Sequence, residues 1–366
     1  LSLITFCLFI YNLYSFIHFF LRVKGWNNQR QQMTLAVLLG VMLGRPVVLS
    51  PFQRNVHDNS RPLAAFDLFD ATDLRRVVAV EETRADMQQL NRTAMDDLTH
   101  GPRSVEQIRA DWGQRAGGIF LRMYWGFWFY CFAFASDEEQ AFYDELQRRY
   151  LHYTREQFDG AVALMRTLRG LARQRSPASL GYSAMHVRVG DREPWPFLNC
   201  SAHADMAADV HYGRAEQYAG CMYAATGQLV SMADAAALRL APGSLVYVAT
   251  NDPDHNQTRL IRDQLRAAGH RPVLLADLVA ANASLGPLME AQSPTLLSNM
   301  EQIVCAYADA YVGTFPSTWD ELVFQIRHWL DRPGAQADWR LYRIRTVFSM
   351  IHRWVGIHAA SKKKKK

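Results

Sequence analysis

Short apolar runs alternate along this chain with stretches whose apolar residues recur at helical spacing. Such alternation predicts an α/β fold built around parallel strands. Residues 16–23 read as a first strand that runs into a loop of turn and cap residues. Residues 28–43 follow, with Leu35, Leu38, Leu39 and Met42 on a helical period, and 46–49 form the next strand, closed by Pro51. Residues 137–173 read as helix with its charges on one face, and 174–179 as a linker. A second set opens with strand 183–189. Strand 245–250, helix 256–268 and strand 272–276 come next, then helix 300–308, strand 310–313 and helix 320–330. The two sets predict two Rossmann-like domains, 16–175 and 182–335, facing across a cleft, with ligands held at strand C-termini. Residues 336–366 are expected to form a C-terminal helix and basic tail.

Residues 1–20 are almost wholly apolar and long enough to span a bilayer. The expectation is a signal-anchor remnant over 1–15 followed by the first strand. A second aromatic run, 124–134, is too short to span and is expected in the core. The formal charge of +5 misleads, because Lys362 to Lys366 account for all of it. The rest of the chain is neutral, which gives no support to a nucleic-acid partner. That pentalysine reads either as a translated poly(A) end or as a retrieval signal. Apolar residues make up 49% and charged residues 20%, a globular balance. The five cysteines contain no C-x-x-C pair, so a zinc site is not expected. Four N-x-[ST] sequons, at Asn91, Asn199, Asn256 and Asn282, point to glycosylation in the secretory pathway, in the ER or Golgi lumen. There, Cys200 and Cys221 either pair or remain buried thiols.

Four segments lie where α/β folds place ligands. In Gly25-Trp26-Asn27-Asn28-Gln29-Arg30, glycine allows close backbone approach, and side-chain amides at a helix start can cap it or bind hydroxyls and phosphate. In His186-Val187-Arg188-Val189-Gly190-Asp191, strand alternation puts His186 and Arg188 on one side. Arg188 can hold a diphosphate through two parallel hydrogen bonds, with His186 and Asp191 positioning it; the alternative is a strand-end ion pair. In Tyr247-Val248-Ala249-Thr250-Asn251-Asp252, Asp252 can meet a ribose or base edge or simply form an Asx-turn. In the segment from Tyr311 to Thr318, the strand runs through Gly313 to a helix N-terminus where Ser317 and Thr318 can reach phosphate oxygens. The rival there is a capping box of Thr318 and Glu321, and Asp320 and Glu321 bring negative charge against a phosphate. Departure of a diphosphate needs its growing charge stabilised by a metal or an arginine. On the reading that the chain lacks a D-x-D metal motif, Arg188 is taken for that role, and neither metal nor cofactor is expected.

In this order the segments resemble the GDP-fucose protein O-fucosyltransferase family and its plant and algal relatives. Gly25 to Arg30 is similar to the family's G-x-N-N-Q-R entry, Arg45 to Pro51 to its R-x-V-V/L-L-x-P strand, and His186 to Asp191 to its H-x-R-x-x-D signature. Tyr247 to Asp252 resembles V-x-V-A-T-D, and Glu301 to Cys305 through Thr318 resembles E-Q-x-x-C … F-x-G-T-x-x-S-T-F-S. The likeness spans roughly 16–330 and fades over 55–180. It implies a GT-B fold and metal-independent, inverting transfer of fucose from GDP-fucose to a Ser/Thr hydroxyl. Arg188 would contact the diphosphate, Asp252 the nucleoside, Ser317 and Thr318 the phosphate oxygens, and Asn27 and Asn28 the sugar or acceptor. Gly25 and Gly313 would let backbone approach the ligand. The chain departs from the pattern at Trp319 for Phe, Asp320 for Ser, Val189 for a basic residue, and Asn251, which is inserted before Asp252. No general base stands out; Asp58 and Glu81 lie in the first domain without a motif to place them. Two rivals remain: transfer of another deoxysugar such as rhamnose to a glycan, and a non-catalytic nucleotide-sugar-binding protein.

Overall fold

The computed structural model describes residues 17–20, 26–49, 51–52, 62–82, 95–97, 103–114, 119–122, 132–133, 137–175, 181–189, 221–223, 229–231, 240–314 and 317–332. The chain divides into two compact units, Leu1–Arg155 and Glu156–Lys366. Each carries a sheet with parallel strands, so the chain is α/β. Among the described residues no helix is long and apolar enough to cross a membrane.

The first unit contains β1 (Ile17–Phe20), α1 (Trp26–Leu43), β2 (Val47–Leu49), the short helices α2 (Ala65–Leu68) and α3 (Ala71–Leu74), and β3 (Val80–Glu82). Then come β4 (Met95–Asp97), β5 (Arg103–Ser104), α4 (Val105–Trp112), β6 (Ile119–Arg122), β7 (Phe132–Ala133) and α5 (Asp137–Tyr150). Its five-stranded sheet runs β3-β2-β1-β6-β4, and every pairing is parallel. Val47, Val48 and Leu49 are all buried, as a continuous apolar run in a covered parallel sheet should be. Helix α1 buries Met33, Leu35, Ala36, Val37, Leu38 and Leu39, which span its circumference rather than one stripe. It ends at Gly44, whose φ of +61° lets the Arg45 N–H reach back to the Gly40 carbonyl at 2.9 Å. Arg45 is buried and donates through Nη2 to the carbonyls of Trp112 (2.9 Å) and Gly113 (3.2 Å), closing the C-terminus of α4.

The second unit holds α6 (Arg155–Arg175), β8 (Ser183–Val187), the hairpin β9 (Cys221–Tyr223) and β10 (Leu229–Ser231), β11 (Leu245–Thr250), α7 (Asn256–Ala267) and β12 (Arg271–Val273). Helices α8 (Leu275–Ala281), α9 (Leu285–Glu290) and α10 (Pro294–Ala306), strand β13 (Tyr311–Thr314) and α11 (Thr318–Trp329) complete it. The six-stranded sheet runs β10-β9-β13-β8-β11-β12. Strands β13, β8, β11 and β12 are parallel, and the hairpin adds antiparallel to β13. The core of this unit gathers Met185, Val187, Val189, Val246, Val248, Ile261, Leu265 and Val312. Each fully buried aliphatic chain of this kind contributes on the order of 2 kcal/mol of transfer free energy.

Four boundaries differ from the sequence reading. The helix expected over 137–173 breaks at 151–154, where Tyr153 bridges to Phe69 and stacks on its ring at 5.7 Å. The division between units falls after Arg155, in the first turn of α6, instead of at 174–179. Gln157, Gly160, Ala161, Leu164, Met165 and Leu168 form one buried face of that helix, and the Asn299 amide donates to Gln157 Oε1 at 2.8 Å. A Cβ on Gly160 would lie 2.6 Å from the Met300 sulfur, so glycine makes room for α10 there. The strand expected over 272–276 stops at Val273, because Asp277 accepts the Leu274 N–H at 2.8 Å and starts α8. Helix α10 begins at Pro294 rather than at 300, with Ser293 as its N-cap and proline in its first turn. Residues 1–16 and 333–366 lie outside the described residues, and with them the expected anchor and C-terminal helix.

Candidate functional site

In an open parallel sheet the ligand crevice forms where strand order reverses, beyond the strand C-termini. In the second unit β8 is central. The next two parallel strands, β11 and β12, lie to one side, and β13 lies to the other. The reversal therefore falls between β8, which carries His186 toward Arg188, and β13, which leads through Gly313 to the N-terminus of α11. Arg188 follows the strand end and is half-buried.

His186 is buried, and its Nδ1 lies 2.7 Å from Asp320 Oδ2. A carboxylate only accepts, so Nδ1 carries the proton. Asp320 is fully buried, and its Oδ1 accepts a hydrogen bond from the Tyr311 hydroxyl. Trp319 stacks on the imidazole with ring centroids 4.0 Å apart and an interplanar angle of 24°. The indole N–H of Trp319 donates to Ser298 Oγ at 2.9 Å, and Gln302 Nε2 donates to the Trp319 carbonyl at 3.0 Å. A Cβ on Gly313 would fall 2.5 Å from Asp320 Oδ1, so the turn into α11 needs glycine to admit this carboxylate.

The cap of α11 is one residue earlier than the sequence suggests. Ser317, not Thr318, is the N-cap, and its Oγ accepts the Asp320 N–H at 3.4 Å. Thr318 is the first helical residue, and its side chain lies outside the described residues. Asp320 turns inward, with its two oxygens taken up by His186 and Tyr311.

Two further departures acquire a structural reason. Asn251 accepts the Val189 N–H at 2.9 Å and donates to the Val189 carbonyl at 2.5 Å, tying the end of β11 to the loop after β8. Val189 is 2% exposed and part of the apolar core, so no basic side chain belongs there. Asp252 is half-exposed beside this tie, and its Oδ1 accepts the Asp254 N–H at 3.1 Å, the Asx-turn. The expectation of no metal meets one counter-signal in the sequence, the D-x-D spacing of Asp252-Pro253-Asp254. In the fold, Asp254 is exposed and lies 3.9 Å from Arg259. Among the described residues no group of three or more His, Cys, Asp or Glu is gathered as a metal would need.

Behind the sheet, α10 presents a second layer. The Tyr247 hydroxyl donates to Glu301 Oε1 at 2.6 Å, and the Tyr182 hydroxyl to the Val304 carbonyl at 2.7 Å. Burial pushes the partly exposed Glu301 carboxyl up to about 7, against the opposing pull of the Tyr247 hydrogen bond. Burial also holds the Tyr182 and Tyr247 phenols and the Cys305 thiol well above their ordinary ranges, with Glu301 adding to this for Tyr247 and Cys305. The Glu301 to Cys305 segment is thus a supporting layer, with Gln302 reaching Trp319 from the same helix.

In the first unit, order reverses between β1 and β6, and the Asn27 segment begins α1 beyond β1. Asn27, Gln29 and Arg30 are buried there, and Trp26 packs edge-on against Phe52 at 4.4 Å. Glu81 is exposed on β3. Gly25, Gly190, Asp191 and Asp58, the Asn28 side chain, and the sequons at Asn91 and Asn199 lie outside the described residues, as does the Cys200–Cys221 pairing. Asn256 is exposed at the start of α7, whereas the Asn282 amide donates to Thr167 Oγ1 at 3.0 Å.

The chain matches no protein-family model and no curated protein. Among solved structures it is similar to POFUT1 in complex with GDP, at 14% identity and a TM-score of 0.46, covering 86% of this chain and 94% of that one. The fucosyltransferase NodZ from Bradyrhizobium matches at 13% identity and a TM-score of 0.42, over 86% of this chain and 93% of that one. A NodZ α-1,6-fucosyltransferase soaked with GDP-fucose matches at 13% identity and a TM-score of 0.41, over 85% and 92%.

Proposed function

We propose that the second unit binds a nucleotide-diphosphate sugar and that the chain is a GT-B glycosyltransferase. The reaction we assign is inverting, metal-independent transfer of fucose from GDP-fucose to a Ser/Thr hydroxyl of a protein, in the ER or Golgi lumen. One observation carries this reading. The reversal of strand order falls between β8 and β13, so Arg188 and the Ser317-capped N-terminus of α11 follow the two strands that border it. A helix N-terminus and a guanidinium are both suited to a diphosphate. The choice of fucose rests on the order of the sequence motifs, and the choice of lumen on the sequons.

In this reaction the acceptor oxygen forms a bond to the anomeric carbon as the bond to the diphosphate breaks on the opposite face. The acceptor proton passes to a base, and the electron pair leaves with GDP. Arg188 would meet the charge that grows on the leaving oxygens, where loss of one such donor costs roughly a hundredfold or more in kcat. Ser317 and Thr318 would hold phosphate oxygens and Asp252 the nucleoside.

The test is Arg188→Ala with radiolabelled GDP-fucose. Transfer is expected to fall by about a hundredfold or more while the circular dichroism spectrum is retained; undiminished transfer overturns the mechanism. Thermal shifts with GDP, UDP and dTDP identify the nucleotide, because saturation at about 100 times Kd stabilises by roughly 2.7 kcal/mol.

A further inference from the structure

We infer that Asp320 is a positioning residue that sets the tautomer of His186, so that whatever this imidazole offers a donor, it offers through Nε2. The two carboxylate oxygens of Asp320 are divided between two partners. Oδ2 takes the His186 Nδ1–H at 2.7 Å, and Oδ1 takes the Tyr311 hydroxyl. Asp320 is fully buried and His186 is 5% exposed, so water competes poorly for either bond. Trp319, anchored to Ser298, covers one face of the imidazole and fixes its plane. Gly313 leaves the space in which the carboxylate sits. Asp320 and Trp319 are also the two consecutive positions at which the chain departs from the family pattern it resembles. His186 therefore has partners of its own in Asp320 and Trp319.

Nδ1 being committed, the neutral ring presents Nε2 as an acceptor, suited to a hydroxyl of the sugar or ribose. The protonated ring presents Nε2–H, suited to a phosphate oxygen. Both uses need the same orientation, which Asp320 supplies. This assignment of a ligand rests on the nucleotide-sugar reading above, whereas the tautomer itself does not.

The variant Asp320→Asn separates these. Asparagine has one acceptor oxygen for two donors, so either His186 or Tyr311 must face an amide N–H₂. Long-range ¹H–¹⁵N NMR of the histidine rings, with His186→Gln to assign the signal, reads the outcome in the full chain without ligand. Wild type is expected to show Nδ1 protonated, and D320N to move toward the Nε2–H tautomer. Tyr311→Phe removes only the second donor and is expected to keep Nδ1–H. GDP affinity, measured by calorimetry, is expected to fall about tenfold in D320N. A wild-type protein with Nε2–H alone overturns the positioning role whether or not GDP binds. If D320N does not fold, the wild-type spectrum alone decides. Failure of the nucleotide-sugar reading looks different: the tautomers shift as expected, but no nucleotide binds either protein.

Discussion

Glu301→Gln is expected to stabilise the protein at alkaline pH and to leave it unchanged in acid. Glu301 sits on α10 with its Oε1 taken by the Tyr247 hydroxyl, and burial raises its carboxyl from 4.5 to about 7. The folded chain therefore holds this proton more tightly than the unfolded chain does. Stability from this group is complete below the unfolded value. It declines as pH rises from there to about 7, because the unfolded chain gains by ionising and the folded chain does not. Above that interval the loss is constant. At about 1.4 kcal/mol for each pH step, the full gap amounts to about 3 kcal/mol, and solvent reaching the partly exposed carboxyl lowers this toward about 1–2 kcal/mol. Glutamine keeps an acceptor for Tyr247 and has no charge to bury. Urea unfolding of wild type and variant at pH 4.5, 6 and 8 measures the difference. The variant should match wild type at pH 4.5 and exceed it by about 1–2 kcal/mol at pH 8. A difference that does not change with pH, or a variant less stable at pH 8, refutes the assignment of a raised carboxyl.

Two further outcomes follow from single contacts. Arg327 is buried, and its Nη1 and Nη2 donate to the carbonyls of Ala306, Ala308 and Asp309 at the end of α10. Arg327→Ala strands those carbonyls and should cost roughly 3 kcal/mol, seen as a lower thermal midpoint. Asn251→Asp keeps an acceptor for the Val189 N–H but sets a carboxylate against the Val189 carbonyl. It should cost about 1–3 kcal/mol in chemical denaturation and weaken GDP binding with it, whereas a variant as stable as wild type would show that the tie is dispensable.

The parallel strands of the second unit were legible because continuous apolar runs such as Leu245 to Ala249 suit strands covered on both faces. The strand-end motifs were legible for the same reason, since polar residues close each run. The pairs that organise the site were not. His186 meets Asp320 from 134 positions away, and Asn251 meets Val189 from 62. Neither contact leaves a local period. Asp320 was visible as an acidic residue in the first turn of a helix, but its inward direction depends on the missing Cβ of Gly313. Two misses had readable signals: Ser293-Pro294 announces the start of α10, and Asp252-Pro253-Asp254 is a D-x-D. The hairpin of β9 and β10 had no such signal, since each strand is three residues long.

Strand β13 has a consequence for how the protein is made. It is the last of the described strands to leave the ribosome, yet it is an interior strand, between β8 and β9. Its first half pairs with β8 through Tyr311 and Val312, and its second half with β9 through Gly313 and Thr314. Until it emerges, β8 presents an open apolar edge of the kind that recruits other chains. His186 waits equally long, because Tyr311, Trp319 and Asp320 all arrive in the same final stretch. A nascent chain stalled before residue 311 would lack both the seam of its sheet and the partners of its central histidine. Sheet closure and site assembly are therefore one event in synthesis, and a chaperone that shields β8 would guard both.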